Sequence, residues 1–119
     1  MSLQVFHLYI DSKNVLEISL LDASGNPYNL SGFVGTIQFQ IFAEDVDIFS
    51  NVQPLFTKSI GNGLEITDSA NGIIQVTWSP YEVTQAVDYQ FRLKVDFGGG
   101  DVWYPIRGIL KFKPQKLSE

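Results

Sequence analysis

The chain has 119 residues, 45% of them apolar, including nine Phe, five Tyr and two Trp, with a formal charge of −5 and no cysteine. That length suits one domain with a single core, expected over 1–119 with disordered ends at 1–3 and 115–119, and the composition excludes a wholly disordered chain. Net acidity removes the counterion release behind nucleic-acid binding and any attraction to anionic membranes, and the missing thiols exclude disulfides, thiolate catalysis and the usual structural zinc sites.

Apolar residues recur at every second position through most of the chain, the pattern of strands with one buried face, and helical spacing is nearly absent. Val5 to Ile10 is the first expected strand. Asn14 to Leu21 is the second, in which Leu16, Ile18 and Leu20 alternate with Glu17 and Ser19. Asp22-Ala23-Ser24-Gly25-Asn26-Pro27 reads as a turn, because Gly25 or Asn26 can take positive φ and Pro27 fixes the exit of the chain. In the third strand, Phe33 to Phe42, the inward set is Phe33, Gly35, Ile37, Phe39 and Ile41, with Thr36, Gln38 and Gln40 outward.

Residues 43 to 54 break the alternation, mixing Glu44, Asp45 and Asp47 with Val46, Ile48, Phe49 and Val52 before Pro54, and read as a loop or an irregular edge strand. Leu55 to Ser59, Leu64 to Thr67 and Ile73 to Trp78 follow as short strands, separated by the turn signals Gly61-Asn62-Gly63 and Ser69-Ala70-Asn71-Gly72. Ser79-Pro80-Tyr81-Glu82 is the one helix start, with Ser79 as cap, Pro80 at the first helical position and Glu82 closing a capping box, for about one or two turns.

Asp88 to Phe97 alternates strictly, placing Tyr89, Phe91, Leu93, Val95 and Phe97 inward. A loop at Gly98-Gly99-Gly100-Asp101 then pairs Phe97 with Val102, Val95 with Tyr104, Leu93 with Ile106, Phe91 with Gly108 and Tyr89 with Leu110, a register that a one-residue slip would destroy. Pro105 marks the last strand as an edge or as bulged. The expected fold is an all-β, Ig-like antiparallel β-sandwich of about seven strands with one short helix between the last strands, and Tyr89 is placed like the tyrosine corner of such domains. No segment is long enough to span a bilayer and none reads as a signal peptide, so a soluble chain is expected.

His7 is the only histidine, so a serine triad or a histidine-ligated metal would depend on it, and its place on a strand with Val5 and Tyr9 suits a structural or solvated side chain better. Glu44, Asp45 and Asp47, and Asp22, Ser24 and Asn26, offer oxygens at the spacing of a calcium loop but lack the bidentate glutamate that completes one. The acids lie mostly in turns, not in a cleft that could desolvate one of a pair for glycoside hydrolysis. Gly98 to Gly100 opens no helix and so reads as a turn, not a phosphate cradle. No catalytic residue, cofactor or metal is expected.

Two surfaces are candidates for partners. The outward face of the last hairpin sets Arg92 opposite Arg107, with Lys94, Lys111 and Lys113 nearby and Gln38 and Gln40 on a neighbouring strand, and could meet an acidic partner. The aromatic and aliphatic excess outside the alternating faces, Phe42, Ile48, Phe49, Phe56, Tyr81 and Trp103, forms either an assembly surface or a satellite core under the long loop. The residues expected to bind partners are therefore Arg92, Lys94, Arg107, Ile48, Phe49 and Trp103. A glycan-binding or adhesin reading would use Trp103 and Tyr104 with Gln90, although adjacent strand residues point to opposite faces.

Taken in order, the segments 21–32, Asn71-Gly72-Ile73-Ile74, Ser79-Pro80-Tyr81-Glu82-Val83-Thr84, Asp88-Tyr89-Gln90-Phe91 and Ile106-Arg107-Gly108-Ile109-Leu110 form a pattern. It resembles the immunoglobulin-like modules of tailed-phage virion proteins, such as the N-terminal domain of baseplate upper proteins. The resemblance implies a non-enzymatic structural or assembly protein of a phage or prophage tail or baseplate. Such a module holds virion components or copies of itself together as a homo-oligomer, with the virion, or the host cytoplasm before assembly, as its location.

Overall fold

A computed structural model describes residues 2–50 and 52–114. Among these there are nine strands and no helix: β1 (Ser2–Tyr9), β2 (Asn14–Ser19), β3 (Thr36–Ala43), β4 (Phe56–Ile60), β5 (Gly63–Asp68), β6 (Ile73–Trp78), β7 (Asp88–Gly98), β8 (Asp101–Trp103) and β9 (Ile106–Lys113). Hydrogen bonding runs in the order β1-β9-β7-β3-β4-β5-β6-β2, with β8 on the tip of β7. Most pairs are antiparallel, while β1 joins β9 and β4 meets β5 in parallel.

The alternation in the sequence becomes two inner faces around one core. Ile37, Phe39 and Ile41 on β3, Phe91, Leu93 and Val95 on β7 and Leu110 on β9 are buried from one side, and Leu16, Ile18, Leu64, Ile74, Val76 and Trp78 from the other. The faces meet where Trp78 sets its indole edge-on to Phe39 at 5.6 Å and to Phe112 at 6.1 Å. The result is a sandwich-like all-β body. The chain crosses from one face to the other at Gly61 and Gly63, both at positive φ (81° and 88°), where β4 and β5 bridge over only two residue pairs.

Lys58 is buried at this corner, donating to the Thr77 carbonyl at 2.8 Å and pairing with Glu82, with Nζ 5.4 Å from the Trp78 ring centre. A cation so enclosed is stable only when its donors are taken up by acceptors. Burial alone would raise the Glu82 pKa, but hydrogen bonds from Lys58 and the Ser79 amide, with the Lys58 charge, outweigh it and hold the carboxyl below its ordinary value.

Four expectations are corrected. The helix at Ser79-Pro80-Tyr81-Glu82 is a β-turn: Glu82 N–H donates to the Ser79 carbonyl at 3.1 Å, and Tyr81 has φ 61°, which no helix tolerates. Pro at the second position and positive φ at the third define a type II turn. Glu82 does reach back to the Ser79 amide (3.0 Å), but its other oxygen is held by Lys58, and Tyr81 N–H bonds Ile10 O at 2.6 Å, so the turn is pinned from two sides.

Second, β1 begins at Ser2, paired with Ile106, ahead of the Val5 start expected for the first strand; residue 1 and residues 115–119, where disordered ends were also expected, lie outside those described. Third, Pro105 splits the last strand into β8 and β9, and the strands number nine rather than about seven. Arg92↔Arg107, Phe91↔Gly108 and Tyr89↔Leu110 pair as expected, but Val95 pairs with Trp103 instead of Tyr104, and Asp96 rather than Phe97 pairs with Val102. One extra residue around Pro105 therefore exchanges the faces of Trp103 and Tyr104. Fourth, Tyr89 packs its ring against Phe112 and Phe56 at 5.8 and 6.0 Å, and its hydroxyl makes no hydrogen bond among the described residues, so the bond that defines a tyrosine corner is missing.

A loop-covered basic face

The outer face of β3, β7 and β9 is covered by the segment after Ala43. Gln90 and Arg92, outward on β7, anchor it. The Gln90 amide donates to the carbonyls of Ala43 (3.1 Å), Glu44 (3.0 Å) and Val46. Arg92 donates through Nε to Gln40 Oε1 and through Nη1 to the Ile48 carbonyl, both at 2.8 Å. Asp47 shapes the far end, accepting the Phe49 amide at 3.0 Å and the Ser50 hydroxyl at 3.1 Å. Side chains thus take up part of the segment's backbone in place of a ladder, beside turn bonds such as Ser50 N–H to the Asp47 carbonyl at 3.0 Å.

Under the loop lie Phe42 and Ile48, both buried and both apart from the main core. The adjacent Phe49 points the other way and is 69% exposed. Its ring sits 5.1 Å from the Arg107 guanidinium, and the Arg92 guanidinium lies 4.5 Å from the Tyr104 ring and 5.1 Å from that of Phe42. Two like charges directly opposed across a ladder repel. Here each is turned onto an aromatic face, which offsets the repulsion without a carboxylate.

The two arginines differ in what they have left. Arg92 has acceptors on two nitrogens and two rings against its guanidinium, so it is a structural clamp. Arg107 makes no hydrogen bond or ion pair to a described residue, which leaves its donor fork facing outward beside the exposed Phe49. Lys94, opposite Gln38, likewise has no ion-pair partner among the described residues, whereas Lys111 is paired with Asp88 at 3.0 Å.

Of the residues singled out in the sequence, Arg92, Arg107, Ile48 and Phe49 come together, with Lys94 along the same face. Trp103 does not join them, packing from the core side against Tyr28 at 5.1 Å. Phe56 and Tyr81 lie elsewhere, each partly exposed. Sequence reasoning missed Tyr104 as part of this face. Pro105 carried the signal, since a bulge there turns Tyr104 outward. His7 is exposed on β1, and the Asp22 carboxylate accepts the Ser24 and Asn26 amides of its own turn. Among the described residues no three His, Cys, Asp or Glu side chains cluster as a metal site would need.

The geometry defines an all-β sandwich-like protein with a basic, aromatic-rimmed outer face. No protein-family model matches the chain, and no curated protein matches its sequence. Solved structures do match in fold, among them the N-terminal domain of phage TP901-1 ORF48, with a TM-score of 0.55 and 14% identity over 95% of this chain and 86% of that one. The resemblance to tailed-phage virion modules read from the sequence therefore holds at the level of fold.

Proposed function

We propose that this chain is an immunoglobulin-like structural module of a phage or prophage tail or baseplate, working in the virion through protein contacts and doing no chemistry. The observation that carries this reading is the fold likeness to a phage protein's N-terminal domain over 95% of the chain, joined to the sequence resemblance to baseplate modules. The face around Arg107, Lys94 and Phe49 supports protein contact as its mode of action. It combines the exposed Phe49 ring with the Arg107 guanidinium, whose hydrogen-bond donors no described residue takes up, and aromatic rings and arginine are enriched at interfaces. Its charge opposes the acidic remainder of the molecule, so both an acidic virion protein and a second copy of this chain fit it.

Light scattering of the purified protein tests this. We expect an oligomer that loosens between about 0.05 and 0.5 M salt, as screening of partly exposed charges requires, and that dissociates on Arg107→Glu with an unchanged thermal midpoint. An oligomer indifferent to both salt and Arg107→Glu would exclude this face as the contact.

A further inference from the structure

The two ends of the hydrogen-bonded order, β1 and β2, are consecutive in the chain and form a hairpin that has come apart. At its closed end the Asn14 side chain stands in for a strand partner, accepting the Tyr9 amide at 3.1 Å and donating to the Tyr9 carbonyl at 2.8 Å. Continued by simple counting, that hairpin would pair Phe6 with Glu17 and Gln4 with Ser19. No ladder joins β1 to β2 among the described residues. Instead these four residues line a groove of about 180 Å³ floored by Ile18 and Ile106, which runs on into a cavity of about 440 Å³ at Leu21, Asp22 and Pro105. The body is a ring of strands closed everywhere except along this seam.

Free edges are normally blunted by lysine, proline or a bulge. β1 has none of these: Ser2-Leu3-Gln4-Val5-Phe6-His7-Leu8-Tyr9 contains no Lys, Arg, Asp, Glu or Pro, and Val5 is 46% exposed. The lining of the seam is also one-signed. Among the described residues Glu17 has no ion-pair partner, Asp22 uses only Oδ1 on its own turn, and no Lys or Arg contributes to either cavity. We infer that the seam between β1 and β2 receives an extended segment of a partner protein with apolar and cationic side chains at alternate positions. Its backbone completes the two unpaired edges, its apolar side chains cover Phe6, Ile18 and Ile106, and its cations meet Glu17 and Asp22. This surface lies apart from the Arg107 face and does not depend on it.

The test uses the whole protein and an eight-residue peptide alternating valine and lysine, the length of β1. We expect saturable binding, with slowed amide exchange confined to β1 and β2. The same peptide N-methylated at alternate residues keeps its charge but loses half its donors and should not bind. Glu17→Lys, at an exposed position, should leave the thermal midpoint unchanged and weaken the peptide by about fivefold, the size of reversing one exposed pair. Equal binding of the N-methylated peptide, equal binding of a valine-glutamate peptide, or protection on β7 and β9 would overturn the inference. So would no binding at millimolar peptide, or seam amides that become protected with protein concentration alone, which would make a second copy the occupant.

Discussion

Arg92 and Arg107 occupy matching positions on neighbouring strands, yet the structure gives them different work. Arg92→Lys keeps the charge but loses the fork that reaches Gln40 and the Ile48 carbonyl at once. It should cost about 1–2 kcal/mol in denaturant unfolding, the value of one or two hydrogen bonds, and speed amide exchange in residues 44–50. Arg107→Lys should change stability by less than about 0.5 kcal/mol. The same contrast separates the neighbouring rings: Phe42→Ala opens a cavity under the loop and should cost about 3–5 kcal/mol, whereas Phe49→Ser should leave the thermal midpoint in place and weaken self-association. Strict alternation on β7 and β9 made the facing arginines legible in the sequence. It could not separate Ile48 from Phe49, because neither lies on a regular strand and only the turn made by Asp47 decides which one goes under.

Elements were legible wherever period two ran unbroken. Ile73–Trp78 has the expected bounds, and β7 with the main part of β9 keeps the expected register. Two of the failures, at Pro80 and Pro105, share a cause, a proline whose neighbours were read by local rules alone. Ser79-Pro80-Tyr81-Glu82 satisfies a helix start, but Lys58, buried 24 positions upstream, takes Glu82 and fixes a type II turn instead. Gly108 is a subtler case. Expected simply as the partner of Phe91, it is needed for the approach of β1: a Cβ there would lie 1.8 Å from the Gln4 carbonyl oxygen. Gly108→Ala should therefore displace β1, with a loss of about 1–3 kcal/mol typical of overpacking and exchange quickening in β1 ahead of β3. Slower or unchanged exchange in β1 would show that the parallel β1–β9 pair is not formed as described.

Across the whole molecule, stability should depend on acid through Glu82. Its carboxyl sits below its ordinary value in the folded chain, so the unfolded chain binds the proton more readily there. The stabilisation is then present above the ordinary value of 4.5 and is lost as pH falls through the lowered one. Glu82→Gln should lower the thermal midpoint at neutral pH and flatten its fall in acid; an unchanged acid slope would remove Glu82 from the account. At the same scale, a face led by Arg107 and a seam edged by Glu17 and Asp22 carry opposite charge, which suits a module set between unlike neighbours. The proposed role places this chain in a tailed particle, and cross-linking mass spectrometry of gradient-purified phage particles from a host carrying its gene tests it. The chain should be found in the particles in fixed proportion to other tail proteins, with cross-links from Lys94 to a neighbour. Its presence in the cell but absence from the particles would contradict it.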